Sequence, residues 1–237
     1  MEEDTFFEAP EYPFFERLKK CLVLFVRRSI GLFVVLLLVR ISEISFNYYL
    51  LHPKETLLTL IAEGTISTSI YFFKSLFFLF IIYAVLFFLH INKKNLKVYN
   101  LVLFAIYLLI ELLLSKYFFS TGLLLGDEIF TKKNILFDVF SFNAYWLLAI
   151  VVSWGLLWLA VQYVAKLIPL FNYIYGVLII VIAGILVLFN VSALPNNDNA
   201  ENFKIETSKS AYFFNKTYDY LFDSEPEVDI YNQNYFD

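Results

Sequence analysis

Long apolar runs separated by short polar segments make up most of the chain. An α-helix needs about 20 apolar residues to cross the hydrocarbon core of a bilayer. Five runs approach or exceed that length, and they predict spans over residues 29–51, 70–90, 99–114, 144–164 and 173–191. Because the backbone of a lipid-exposed segment must satisfy its own hydrogen bonds, these runs predict helices. The pattern therefore predicts an all-α membrane protein with a five-helix transmembrane bundle.

The polar segments between the runs have their own patterns. Residues 13–28 place apolar side chains at helical spacing among basic ones, which predicts an interfacial amphipathic helix at the N-terminus, either separate from the first span or continuous with it. Residues 52–67 are too polar to span and predict a short helix that ends at Gly64. Residues 115–142 are long for a plain connection, so we expect them to pack on the bundle surface.

The C-terminal segment, residues 192–237, has a different character. Its nine acidic residues and three lysines give it a net charge of −6. The stretch LPNNDNAEN predicts a hinge. The stretch KSAYFFNKTYDYLF, residues 209–222, predicts a juxtamembrane linker helix anchored by Tyr212, Phe213, Tyr218 and Phe222. The pattern thus divides the chain into an N-terminal part (1–28), a transmembrane domain (29–191) and an acidic linker (192–237).

Composition supports a lipid environment. Of the 237 residues, 60% are hydrophobic and 17% are charged, against roughly 45–50% and about 25% in soluble domains. The net charge of −4 gives no reason to expect a nucleic-acid partner. A single cysteine and two histidines leave no disulfide framework and no cysteine-rich metal site within the chain. The acidic N-terminus argues against a cleaved signal peptide.

The basic residues predict an orientation. With the N-terminus in the cytoplasm, nine basic residues lie in inner segments and four in outer loops. Positive charge favours the cytoplasmic side of a membrane. We therefore expect a multi-pass protein of the inner (cytoplasmic) membrane with its C-terminal segment outside, in the periplasm or its equivalent. The inner residues are Arg17, Lys19, Lys20, Arg27, Arg28, Lys93, Lys94, Lys97 and Lys166, and the outer ones are Lys54, Lys116, Lys132 and Lys133.

Four charged residues are the candidates for lipid or headgroup contacts. Arg40 and Glu43 lie three residues apart in the first predicted span, so they share a helix face. They form either an intramembrane ion pair that fixes helix packing or a contact for a substrate headgroup. Asp127 and Glu128 form either a solvated turn or a site for a cation or amine. No motif of phosphate-binding, metal-binding or nucleophilic chemistry occurs, so no catalytic, cofactor-binding or metal-binding residue is predicted.

The order of these features resembles a known family. A basic helix leads into VRISEISFNYY, and an outer segment with EG and the helix end LLLSKYFFSTG come next. The loop GDEIFTKKNILFD and the juxtamembrane NAENFKIETSKSAYFFNKTYDYLFD follow. This layout is similar to the membrane half of the lipoteichoic acid synthase-like, sulfatase-family proteins of the alkaline phosphatase superfamily. The stretch TISTS after Gly64 departs from the more polar patch that the resemblance leads us to expect.

The resemblance implies a membrane anchor for an extracytoplasmic catalytic domain that lies outside this chain. Such a domain would hold a divalent metal and a Thr or Ser nucleophile, and it would transfer or hydrolyse a phosphoryl-linked headgroup or cleave a sulfate ester. The ending DIYNQNYFD leads us to expect a chain that continues beyond Asp237. The alternative is a complete five-helix accessory or scaffold subunit of a cell-envelope complex, which docks a partner through its acidic tail. A transporter is a weaker alternative, because the spans show no inverted repeat.

Overall fold

The computed structural model describes residues 14–89, 93–126, 128–131, 135, 139, 141, 143–167, 172–197 and 199–222. Every regular element within these ranges is an α-helix, which confirms the all-α fold class. The helices are α1 (Phe14–Leu51), α2 (Leu57–Phe88), α3 (Lys93–Thr121), α4 (Glu128–Thr131), α5 (Ala144–Leu167), α6 (Tyr173–Leu188), α7 (Ala200–Glu206) and α8 (Lys209–Phe222).

The chain is a multi-pass membrane protein. In the described ranges, four helices are long and apolar enough to cross a bilayer: α1, α2, the Leu96–Thr121 part of α3 and the Ala144–Val164 part of α5. Helix α6 is strongly apolar but has 16 residues, a length of about 24 Å at the rise of an α-helix.

Helix α1 is the centre of the bundle, and it packs against α2, α3, α5 and α6. Its Phe25 ring centroid lies 5.3 Å from that of Tyr83 on α2 and 5.9 Å from that of Phe104 on α3. At Gly31 the backbone of α5 comes so close that an added Cβ would lie 2.9 Å from the amide nitrogen of Val161. Small residues permit such close helix contacts inside membranes.

Two predicted helix boundaries differ from the structure. The N-terminal segment forms no separate interfacial helix, because α1 is continuous and buries Cys21 and Phe25 in the bundle core. The predicted boundary between residues 28 and 29 therefore lies inside α1. The predicted helix end at Gly64 is wrong, because α2 begins at the N-cap Thr56 and continues through Gly64 to Phe88.

Different elements lie at the two ends of the bundle. At one end, here called the basic end, the Phe14 and Phe88 rings stack at 5.2 Å, and Lys19 Nζ lies 5.1 Å from the Tyr173 ring centroid. These contacts bring together the start of α1, the end of α2 and the start of α6. The opposite end, here called the linker end, carries α7 and α8.

Candidate functional site

The connection that follows α6 is tied to α2 by side-chain hydrogen bonds. Lys74 Nζ donates to Asn190 Oδ1 at 3.2 Å and to the Val191 carbonyl at 3.1 Å. About two turns towards the start of α2, Ser67 Oγ donates to the Ala193 carbonyl at 2.6 Å. These bonds hold the connection along α2 instead of leaving it as a free hinge.

Helix α7 is short but well fixed. Asn199 Oδ1 caps its start by accepting from the backbone amides of Glu201 and Asn202. On its buried side, Ile205 packs with Ile44 of α1 and Leu60 of α2. Gly64 lies at this contact, where an added Cβ would meet the end of the Ile44 side chain and would lie 3.4 Å from the Glu206 carbonyl oxygen.

From the end of α7 into the first turn of α8, the chain passes through four buried residues, Thr207–Ser210, here called the elbow. Their exposed fractions are between 0 and 3%. The Ser208 amide donates to Ser67 Oγ at 3.0 Å, and Ser208 Oγ accepts from the Ala211 amide at 3.3 Å at the start of α8. A buried polar turn must find such partners, since an unsatisfied group costs about 1–3 kcal/mol.

Three charged side chains join α1 to the elbow. Arg40 Nη1 donates to Glu43 Oε2 at 2.8 Å, and Lys209 Nζ lies 3.2 Å from Glu43 Oε1. Arg40 Nη2 also donates to the carbonyls of Ile205 and Thr207. The side chains in both ion pairs are only 2–3% exposed. The structure therefore contains the intramembrane ion pair, and Arg40 Nη2 binds the linker.

Lys209 has further partners around its ammonium group. It donates to the Lys204 carbonyl at 2.7 Å and to the Thr207 carbonyl at 3.1 Å. Its Nζ also lies 4.2 Å from the centroid of the Phe118 ring, close enough for a cation–π interaction. A buried ammonium group needs this complete set of partners to offset its desolvation.

A fourth ionisable residue, Glu111 of α3, completes the charged cluster of Arg40, Glu43, Glu111 and Lys209. Its carboxylate accepts a hydrogen bond from Ser210 Oγ at the first turn of α8. Glu111 is 4% exposed and interacts electrostatically with the other three members. The sequence analysis missed Glu111 and Lys209, although a lone carboxylate within the apolar run LLIELLL is a signal of a buried polar contact.

Burial shifts the pKa of two linker residues in opposite directions. Burial lowers the pKa of Lys209 to about 8, although the Glu43 carboxylate acts to raise it. Burial raises the pKa of Glu206; the Asn197 amide opposes this effect, and the carboxylates of Glu55 and Glu63 add to it. Asn197 Nδ2 donates both to Glu55 at 3.0 Å and to Glu206 at 3.0 Å, so it bridges two carboxylates.

The structure describes some of the other predicted residues. Asp127 and the side chain of Glu128 fall outside the described residues, so their predicted role stays a prediction. Of the predicted linker-helix anchors, Phe213 packs on the cluster that contains Leu114 and Tyr117. Tyr212 is half-buried near Gly126, whereas Tyr218 and Phe222 are 58% and 68% exposed.

The polar groups of Arg40 and Glu43 are buried in the protein. Arg40 Nη1 and Nη2 and both carboxylate oxygens of Glu43 have partners within the chain. No group of three or more metal-ligating side chains is close enough to hold an ion within the part of the chain that the structure describes. Comparison with protein-family models, curated proteins and solved structures finds no match to this chain.

Proposed function

We propose that this chain is a membrane anchor and positioning domain whose bundle holds α8 in a fixed direction at the linker end. The observation that carries this proposal is the charged cluster, which connects two spanning helices to the elbow. A flexible stalk would not need such a cluster, because burying each charge costs several kcal/mol before pairing. Its arrangement instead suits a rigid joint between the bundle and whatever follows α8.

The proposal includes five spans and a cytoplasmic N-terminus. The apolar run of α6 starts beside Lys19 at the basic end and ends beside Lys74, so we propose that it crosses the membrane despite its length. Segments rich in Lys and Arg meet at the basic end, which supports a cytoplasmic location. A membrane-impermeant thiol reagent applied to spheroplasts should label Leu58→Cys and spare Leu167→Cys; the reverse pattern would invert the orientation. Both side chains are exposed, at 80% and 77%.

The resemblance supports a more specific role for the part that α8 directs. We propose that it is an extracytoplasmic, metal-dependent domain that modifies lipid headgroups by phosphoryl transfer, phosphoryl hydrolysis or sulfate-ester cleavage. The intact mass of the protein extracted from its source tests this proposal. A mass well above 27.9 kDa, with metal-dependent hydrolase or transferase activity, is expected. A mass near 27.9 kDa would instead favour the accessory subunit that docks a partner through its acidic tail.

Hydrogen exchange tests the positioning role. In nanodiscs, the backbone amides of residues 203–212 should exchange slowly, because α7 and the elbow are buried and bonded. Replacing Lys209 by Met should speed exchange there while leaving the spanning helices protected. Lys216→Met is the matched control on the same helix, since Lys216 makes only a partly exposed 3.7 Å ion pair with Asp219. Fast exchange of the elbow in the unmodified protein would contradict a rigid joint.

A further inference from the structure

Helix α8 has an exposed apolar face. Phe214, Tyr218, Leu221 and Phe222 are 45%, 58%, 57% and 68% exposed. Their spacing of four, three and one residues places them on one side of the helix, and this set is called the aromatic stripe here. The Tyr218 and Phe222 rings contact each other with centroids 4.8 Å apart and planes tilted by 35°. The stripe therefore leaves a contiguous apolar surface uncovered.

The other faces of α8 are a protein-contacting face and a polar face. Phe213 packs on α3, and the Tyr220 ring stacks on Phe130 at 4.8 Å. The exposed Asn215 and the half-buried Asp219 lie on the side of the stripe away from these contacts. Three sectors with apolar, polar and protein-facing character are typical of a helix that lies in a membrane interface.

A contact with α2 indicates the depth of α8 in the bilayer. The Phe214 ring stacks on Tyr71 with centroids 6.2 Å apart, and Tyr71 stands where the apolar run of α2 begins. Phe78, Ile82 and Val85 follow Tyr71 at successive intervals of seven, four and three residues, so they lie on the same face of α2. Their side chains are 54%, 48% and 55% exposed. This face is part of the surface that the spanning helix turns to lipid, and the aromatic stripe continues it.

We propose that the aromatic stripe lies in the boundary between headgroups and acyl chains of the leaflet at the linker end. Aromatic side chains favour this depth. A protein partner or a second copy could also cover an apolar face, but the continuity with the lipid-facing side of α2 favours lipid. The lipid contact rests on the proposed positioning function: it would fix α8 relative to the bilayer as well as to the bundle.

Collision accessibility of nitroxide labels tests this proposal in the full chain, reconstituted in nanodiscs with the buried Cys21 replaced by Ala. Labels at Tyr218→Cys and Leu221→Cys should be accessible to oxygen and shielded from the water-soluble nickel chelate NiEDDA, as a label at Ile82→Cys should be. A label at Asn215→Cys on the same helix should show the opposite preference. Two positions of the stripe are labelled so that the test still holds if one variant fails to fold.

Two outcomes would overturn the lipid contact. Nickel accessibility at both stripe positions equal to that at Asn215 would place the stripe in water. Shielding from both reagents would mean that protein covers it, either a second copy or another part of this chain. The positioning function fails separately, since a loose elbow would speed amide exchange at residues 203–212 whatever the depth of the stripe.

Discussion

At the scale of single residues, the charged cluster predicts which replacements are costly. Glu43 forms ion pairs with both Arg40 and Lys209, so losing either cation leaves it with one partner. Arg40 also satisfies two carbonyls of the linker, which a neutral side chain would leave bare. A buried ion pair adds little net stability when intact, but removing one partner leaves an uncompensated buried group.

Replacing Lys209 by Met should therefore destabilise the fold by about 3–5 kcal/mol, the cost of breaking a buried pair. The methionine keeps the length of the side chain but leaves the Lys204 carbonyl without its donor. Thermal unfolding of the purified protein in detergent micelles measures the change. Lys216→Met should change the stability by about 1 kcal/mol or less, because exposed pairs contribute little. Equal effects of the two substitutions would contradict the account.

Glu206 should make stability depend on pH. Its raised pKa means that the folded state binds a proton more readily than the unfolded state, so this group stabilises the fold below the ordinary glutamate pKa. That contribution is lost as the pH rises through the raised pKa. The unfolding temperature should thus fall between pH 4.5 and neutrality, and Glu206→Gln should flatten this slope. If the unfolding temperature of Glu206→Gln depends on pH as steeply as that of the unmodified protein, other groups cause this dependence.

At the scale of elements, two glycines in the bundle have opposite environments. An added Cβ at Gly31 would meet backbone atoms of α5 at 2.9–3.1 Å, and backbone can move aside only if the helices separate. At Gly155, also in a spanning helix, nothing lies within 4 Å of the added atom. Helix packing alone therefore distinguishes the two positions.

Gly31→Ala should destabilise the protein by about 1–3 kcal/mol, as overpacking of a core does. Gly155→Ala should be neutral or stabilising by up to about 1 kcal/mol, because alanine has the higher helix propensity. Chemical unfolding of both variants in the same detergent checks this difference. If Gly31→Ala is as stable as Gly155→Ala, α1 and α5 do not pack as closely as described.

The elements also show what the sequence could predict. Apolar runs alone located the four helices that are long enough to span, and the spacing of Arg40 and Glu43 placed them on one helix face. Helix α2 continues through Gly64, and the Glu206 carbonyl that lies beside this glycine comes from a segment distant in sequence. The bond between Glu111 and Ser210 joins positions 99 residues apart. Local patterns hold no information about such contacts, so the elbow appeared in the sequence as part of an exposed linker.

At the scale of the whole molecule, the bundle and the linker form one connected structure. The connection after α6 is bonded to α2, α7 packs on α1 and α2, and the elbow joins the charged cluster. Helix α8 then leaves in a direction that α2 and α3 determine together. An anchor built in this way would transmit the position and tilt of the bundle to the segment that follows.

The distance between spin labels at Leu58→Cys on α2 and Asn215→Cys on α8 tests this central claim most directly. Both positions are exposed, and Cys21 is replaced by Ala in the background. Double electron–electron resonance in nanodiscs should give one narrow distance distribution, which broadens when Lys209 is replaced by Met and stays narrow with Lys216→Met. A broad distribution in the protein with an intact charged cluster would contradict the positioning function.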